Sequence, residues 1–274
     1  MKRINITTIL YLLFSFFFID TVLAQTAEED PAKAAQNPLA NVISLPLQNN
    51  VNFGIGTYNK TSDILNIQPI LPVKLNKSGW LLINRFIIPF PTSVPDQSSE
   101  DANNITGLGD INYTVWFSPP PKSKMTIGFG LVSIWPTASK DILGQGKFSI
   151  GPSFVLVYPQ THGLIAAVIS NWFSVGGDEN RSDVNTFYFQ YILTRFLQKK
   201  WYITSAPINL ANWEAESGQK WTVPLGGGFG KMFNIGKLPM DLSTQAFYNV
   251  VRPDGAADWQ WRVQLKFIFP TGKK

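Results

Sequence analysis

The feature that most constrains this chain is alternation. From Trp259 to Phe269, Trp259, Trp261, Val263, Leu265, Phe267 and Phe269 share one face and Gln260, Arg262, Gln264 and Lys266 the other. Period two marks a strand with two unlike faces. Asp110 to Ser118 sets Ile111, Tyr113, Val115 and Phe117 against Asp110, Asn112 and Thr114. Thr186 to Thr194 sets Phe187, Phe189, Tyr191 and Leu193 against Thr186, Tyr188, Gln190 and Thr194. Leu238 to Val250 opposes Met240, Leu242 and Tyr248 to Asp241, Ser243, Gln245 and Asn249. The first strand opposes Ile43, Leu45, Leu47, Val51 and Phe53 to Ser44, Gln48, Asn50 and Asn52.

Weaker members lie near 62–75, 79–91, 124–135, 147–158, 163–175, 200–210 and 220–233, and in several the two faces are hard to tell apart. Together they predict twelve strands of roughly 10–14 residues, longer than the usual strand of a globular sheet. That length crosses a bilayer at a tilt with some overhang. No helical periodicity follows Asn41, and no later segment is apolar enough to span as a helix. In hydrocarbon every backbone polar group must be satisfied internally, which leaves a closed barrel. The predicted fold is all-β, an antiparallel transmembrane β-barrel of about twelve strands.

The connectors alternate too. Asn76-Lys77-Ser78, residues 118–124, Pro159 to Gly163, Gln198-Lys199-Lys200 and Ile235-Gly236-Lys237 are short and mostly basic. Residues 91–106, 136–147, 176–183, 211–220 and 252–258 are longer and polar, and hold eleven of the seventeen acidic residues after Ala24. Short turns on one rim and long loops on the other suit an outer-membrane barrel, with the short turns periplasmic. All nine Trp fall towards strand ends: Trp80, Trp116 and Trp201 near the short-turn rim, Trp135, Trp172, Trp213, Trp221, Trp259 and Trp261 near the other. Indole favours the headgroup level, so they are expected to form aromatic girdles. Against the barrel stand Pro46, Pro69, Pro72, Pro152, Pro207, Pro224 and Pro239. Proline cannot donate to a ladder and a closed barrel has no free edge, so these are expected at bulges or rims.

Residues 1–24 carry Lys2 and Arg3, an apolar run to Ile19 and a small-residue site ending at Ala24. This is the pattern of a cleaved signal peptide, too short for a spanning anchor. Residues 25–41 are polar, with Pro31 and Pro38, and read as a periplasmic N-terminal leader or a small lumen insert. The barrel is expected over 42–270, followed by a tail at 271–274.

Composition narrows the chemistry. Charged residues are 15% of the chain and aromatics 14%, which excludes a disordered chain. With no Cys and one His, thiolate chemistry and a multi-histidine metal centre are excluded. After Ala24 the net charge is +4, too mild to ask for nucleic acid.

The runs NPLANVISLPLQNNVNFGIG (37–56), LNIQPILPVKL (65–75), NRFIIPF (84–90), GLGD (107–110), KKWYITSAPINLANWEA (199–215) and KWTVPLGGGFGK (220–231) carry a family resemblance over nearly the whole chain after Ala24. The chain resembles a group of bacterial outer-membrane transporter-like barrels of the phenol meta-pathway degradation type, some of which bear the label neuromedin U. The resemblance implies an outer-membrane barrel of a Gram-negative bacterium with a role in the passage of small molecules, hydrophobic ones included. It brings no catalytic motif and no cofactor.

The residues expected to line the pore are Arg85, Asp110, Asn112, Asp241, Gln245, Arg262, Gln264 and Lys266, with Asn66, Gln68, Asn249 and Gln260 beside them. Inward charge and amides select solutes by size and charge; the competing reading is that they satisfy one another and fill a narrow barrel. If Arg85 points inward, Asn84 faces lipid. Gly226 to Lys231 is not a phosphate loop, because Leu225 and Met232 stand where that motif needs Gly and Ser or Thr. His162 in a tight turn makes a hydrolase a poor reading. Glu214 and Glu216, or Asp178 and Glu179, read as solvated loop charge ahead of weak divalent binding. The expected function is passive passage of small molecules, with membrane lipid, lipopolysaccharide and a small solute as partners. A structural or adhesive barrel acting through its long loops is the alternative.

Overall fold

The computed structural model describes residues 31–121 and 123–269; the expected signal peptide and tail lie outside them. Twelve staves run in chain order: β1 (Ile43–Ile55), β2 (Lys60–Ile67, resumed as Ile70–Lys74), β3 (Leu81–Pro95), β4 (Ile111–Ser118), β5 (Thr126–Trp135) and β6 (Lys147–Gln160). They continue as β7 (Gly163–Gly177), β8 (Asn185–Phe196), β9 (Trp201–Ser205, resumed as Ile208–Asn212), β10 (Trp221–Ile235), β11 (Leu238–Val251) and β12 (Trp259–Phe269). Each pairs antiparallel with its sequence neighbours. β12 then pairs with β1 in unbroken register from Ile43–Phe269 to Phe53–Trp259, which closes the sheet. Closure removes every free edge, so the ladder satisfies the backbone without water.

The alternation written in the sequence becomes inside and outside. On β12, Trp259, Trp261 and Phe269 are exposed while Arg262 and Ile268 are buried. The weakly patterned β6 alternates just as strictly: Ser149, Ser153, Val155 and Val157 are buried, and Phe154, Leu156 and Tyr158 exposed. A band of bare Phe, Leu, Ile and Trp is therefore the outer surface. Exposed apolar area on this scale belongs against lipid, not water. Asn84 does lie on that outer face. Its amide donates to the Leu71 carbonyl at 3.1 Å and accepts from the Tyr113 hydroxyl at 2.8 Å, so no polar atom of it is left bare to hydrocarbon.

Prolines sit mostly where the ladder is already broken. Pro69 and Pro207 occupy the interruptions of β2 and β9, Pro224 follows a register shift, and Pro239 is the second residue of β11. Pro46, Pro72 and Pro152 depart from the expectation and lie within strands. At Pro152 the β6–β7 pairing lapses between Ile150–Phe173 and Ser153–Ser170, so its missing N–H falls in a gap. Gly151 beside it lets the strands close in, since a Cβ there would stand 1.8 Å from the Asn171 carbonyl oxygen.

Six Trp are exposed on the outer face: Trp135, Trp201, Trp213, Trp221, Trp259 and Trp261. Trp116 corrects the girdle expectation. It is 1% exposed and points inward, donating from Nε1 to Ser153 Oγ at 2.8 Å, with Ser170 Oγ a further 2.7 Å on. A buried indole needs such an acceptor. Trp172 also turns inward, its ring centroid 6.1 Å from that of Tyr188, but its buried Nε1 has no acceptor among the described residues.

The interior is not empty. Helix α1 (Pro31–Gln36) and the segment to Ala40 lie inside the wall, towards the short-turn rim. Ala34, Ala35, Leu39 and Ala40 are buried there. Leu39 packs into a cluster with Ile83, Trp116, Val155, Val157, Leu164, Ala166 and Val168, and Gly128 leaves room for its side chain. The described part of the leader is thus a lumen insert, and its apolar seat is the inner face of β3 to β7.

Candidate functional site

Opposite that apolar seat, the inner wall of β1, β8, β9, β11 and β12 is polar. A cavity of about 110 Å³ lies between the insert and this wall. Of the expected lining residues, Arg85, Gln245, Arg262, Gln264 and Lys266 border it, joined by Gln68. Alternation delivers them: Arg262, Gln264 and Lys266 are consecutive inward positions of β12, and Gln245 faces Arg262 directly across the β11–β12 ladder.

Several of these side chains have structural partners. The break at Ala206–Pro207 leaves backbone groups of β9 without a ladder partner. Gln245 Oε1 accepts from the Ala206 N–H at 3.0 Å. Arg262 donates to the Ala206 carbonyl at 2.8 Å, and Gln190 adds a second donor at 3.2 Å. Arg262 also donates to Asn50 Oδ1 at 3.1 Å and Gln260 Oε1 at 3.0 Å, and lies over the Phe247 ring at 4.9 Å. A guanidinium fully removed from water requires this many acceptors. Pro207 in the sequence signals a ladder break; it does not reveal that Arg262 and Gln245 mend it.

Asp241 is fully buried. Its carboxylate accepts from Tyr202 at 2.8 and 2.9 Å and from Gln36 Nε2 of the insert at 3.1 Å. Lys266 stands directly opposite Asp241 in the ladder and donates to the Ala35 carbonyl. The wall thus holds α1 at two successive residues. Tyr202 belongs to this network, and sequence reasoning missed it because the alternation of β9 is weak.

Two expected lining residues lie elsewhere. Asp110 is not in the cavity. It precedes β4 at the long-loop rim, where its oxygens accept from the backbone N–H of Ala138 at 3.1 Å and Gln145 at 2.6 Å and so clamp the loop 136–146. A carboxylate beside two unpaired loop amides is better satisfied there than in the lumen. Asn112 points inward on β4 but accepts from Thr114 at 3.1 Å, away from the cavity. Asn66 faces Gln48 across the β1–β2 ladder, Gln260 donates to Asn52 at 3.0 Å, and Asn249 donates to the Ala257 carbonyl at 2.7 Å near the long-loop rim. Gly226 to Lys231 is plain β10 strand, where glycine serves close strand approach: a Cβ at Gly228 would stand 1.9 Å from the Thr244 carbonyl oxygen. His162 occupies the β6–β7 turn.

The fold is that of outer-membrane barrels. An outer-membrane channel of Pseudomonas putida F1 superposes with a TM-score of 0.63 at 12% identity, covering 89% of this chain and 100% of that one. Outer membrane phospholipase A of Escherichia coli superposes at a TM-score of 0.43 and 12% identity, over 86% of this chain and 95% of that one. No family model matches the chain, and no curated protein does.

Proposed function

We propose that this protein is a passive outer-membrane channel for small molecules, carried across the inner membrane by a cleaved signal peptide at 1–24. The observation that carries the reading is a closed wall with grease outside and a charged, amide-rich face inside. Arg262 and Lys266 fasten the wall and the insert, but Arg85 beside them makes one hydrogen bond among the described residues, a small structural return for what inward charge costs. The likeness in fold to an outer-membrane channel over that channel's full length supports the same reading. The short turns then face the periplasm and the long loops the exterior. Lipid and lipopolysaccharide meet the outer band, and the protein performs no chemistry.

Passage requires the insert to shift, because a cavity of about 110 Å³ holds only some three or four waters' worth of volume. The test is single-channel conductance in planar bilayers together with solute swelling of proteoliposomes. Steps of conductance and swelling by small solutes are expected. Silence in both assays would leave the second reading, a non-transporting barrel acting through its loops. One observation favours that rival: Lys60 Nζ fastens the loop after β3 by donating to the carbonyls of Asp96 at 2.7 Å and Ser99 at 2.8 Å. A loop held this way is a ready binding platform.

A further inference from the structure

The cavity between insert and wall has a lopsided charge. Three cations border it, Arg85 from β3 and Arg262 and Lys266 from β12, and no Asp or Glu does among the described residues. Asp241, which stands opposite Lys266, is already engaged by Tyr202 and Gln36. Among the described residues one negative charge therefore answers three positive ones. Arg85, Arg262 and Lys266 thus share the lining of one small cavity. Like charges gathered in a water-poor space repel strongly, and such an arrangement calls for a counter-charge.

The three cations are not equally occupied. Arg262 spends its donors on Asn50, Ala206 and Gln260, and Lys266 gives one to Ala35. Arg85 makes a single hydrogen bond among the described residues, to Gln68 Oε1 at 3.1 Å. A guanidinium carries five N–H donors. Four of Arg85's therefore have no acceptor among the described residues, and the group borders the cavity. Its planar fork matches the two oxygens of a carboxylate. The rest of the lining includes Ile70, Val168 and Ile192, a surface for a short hydrocarbon body. A multiply charged anion would leave its further charge against those side chains, so a monoanion fits better.

We infer that the lumen holds a binding site for a small monocarboxylate with a short apolar body, its carboxylate on Arg85 and its tail against Ile70, Val168 and Ile192. This deepens the channel reading and rests on it for its purpose: the site is where a carboxylate solute pauses beside the insert. A channel site must bind well enough to admit and weakly enough to release, so millimolar affinity is the scale expected.

The test is calorimetric titration of the full processed chain in detergent micelles with butyrate, 1-butanol and butylammonium. These share a body and differ in charge. Butyrate is expected to bind and the other two not. Arg85→Gln is expected to weaken butyrate at least about tenfold, the usual effect of losing a charged hydrogen-bond partner, with Arg85→Lys falling between. Equal binding of butyrate and 1-butanol, or undiminished butyrate binding by a folded Arg85→Gln protein, overturns the site. If Arg85→Gln does not fold, discrimination among the three probes by the unaltered protein decides alone. Conductance of the same preparation separates the two readings. Butyrate binding without conductance removes the channel and keeps the site. Conductance without a preference for butyrate over 1-butanol does the reverse.

Discussion

Tyr202 on β9 reaches across β10 to place its hydroxyl 2.8 and 2.9 Å from the two carboxylate oxygens of Asp241 on β11, passing over Gly230. The crossing depends on that glycine. A Cβ at residue 230 would stand 2.3 Å from the Tyr202 hydroxyl oxygen, well inside contact distance. One missing side chain thus allows a phenol to satisfy a carboxylate one stave further on, and that carboxylate in turn holds the insert through Gln36.

Gly230→Ala is therefore expected to destabilise the barrel by about 1–3 kcal/mol, the usual cost of overpacking. Tyr202→Phe should cost about 1–3 kcal/mol by a different route, since a buried carboxylate loses a donor. Urea unfolding in detergent reads both. Unchanged midpoints for the two variants would show that the crossing contributes nothing.

The facing of β12 makes a sharp contrast between neighbours. Leu265 pairs with Leu47 and Leu242 on the outer face, whereas Gln264 borders the cavity. Leu265→Asp puts a charge against lipid, at a cost on the order of 1–2 kcal/mol, and should reduce the yield of heat-modifiable barrel on SDS gels. Gln264→Asp gains cationic neighbours and should assemble normally. Equal yields would show that the wall is turned the other way.

Removing residues 31–41 should widen the lumen and raise single-channel conductance several-fold. The deletion also bares Val155, Val157 and Leu164 to water, so folding yield is expected to fall. Lys266→Met is the milder probe. It cuts the tie to Ala35 while leaving the apolar seat intact, and should increase the frequency of opening without changing the fully open conductance. A silent Lys266→Met trace identical to that of the unaltered protein would mean that this tie does not hold the insert.

Asp110 makes a loop prediction in place of a pore prediction. Asp110→Ala removes both acceptors of the 136–146 clamp at a local cost of about 1–3 kcal/mol. Limited trypsin digestion should then cut after Lys140 faster than in the unaltered protein, with conductance and heat-modifiability unchanged. Altered ion selectivity in this variant would return Asp110 to the lumen.

Alternation alone determined a great deal: twelve two-faced strands, their order, the rim carrying each loop, and the inward turn of Arg85, Arg262, Gln264 and Lys266. A strand has only two faces, and a bilayer demands that one be apolar, so the pattern is local and legible. Two of the weakly alternating strands, β6 and β7, carry apolar side chains on the inner face as well, Val155, Val157, Leu164 and Val168 among them. They do so because Leu39, more than a hundred residues earlier in the chain, packs against these side chains. Nothing in the local period records a cover that arrives from elsewhere. For the same reason only the tertiary structure placed Trp116 inside, sent Asp110 to a loop, brought Tyr202 to Asp241 and left Arg85 with one acceptor among the described residues. Each of those outcomes depends on which distant atoms meet a side chain once the wall has closed, and closure is decided by all twelve strands together.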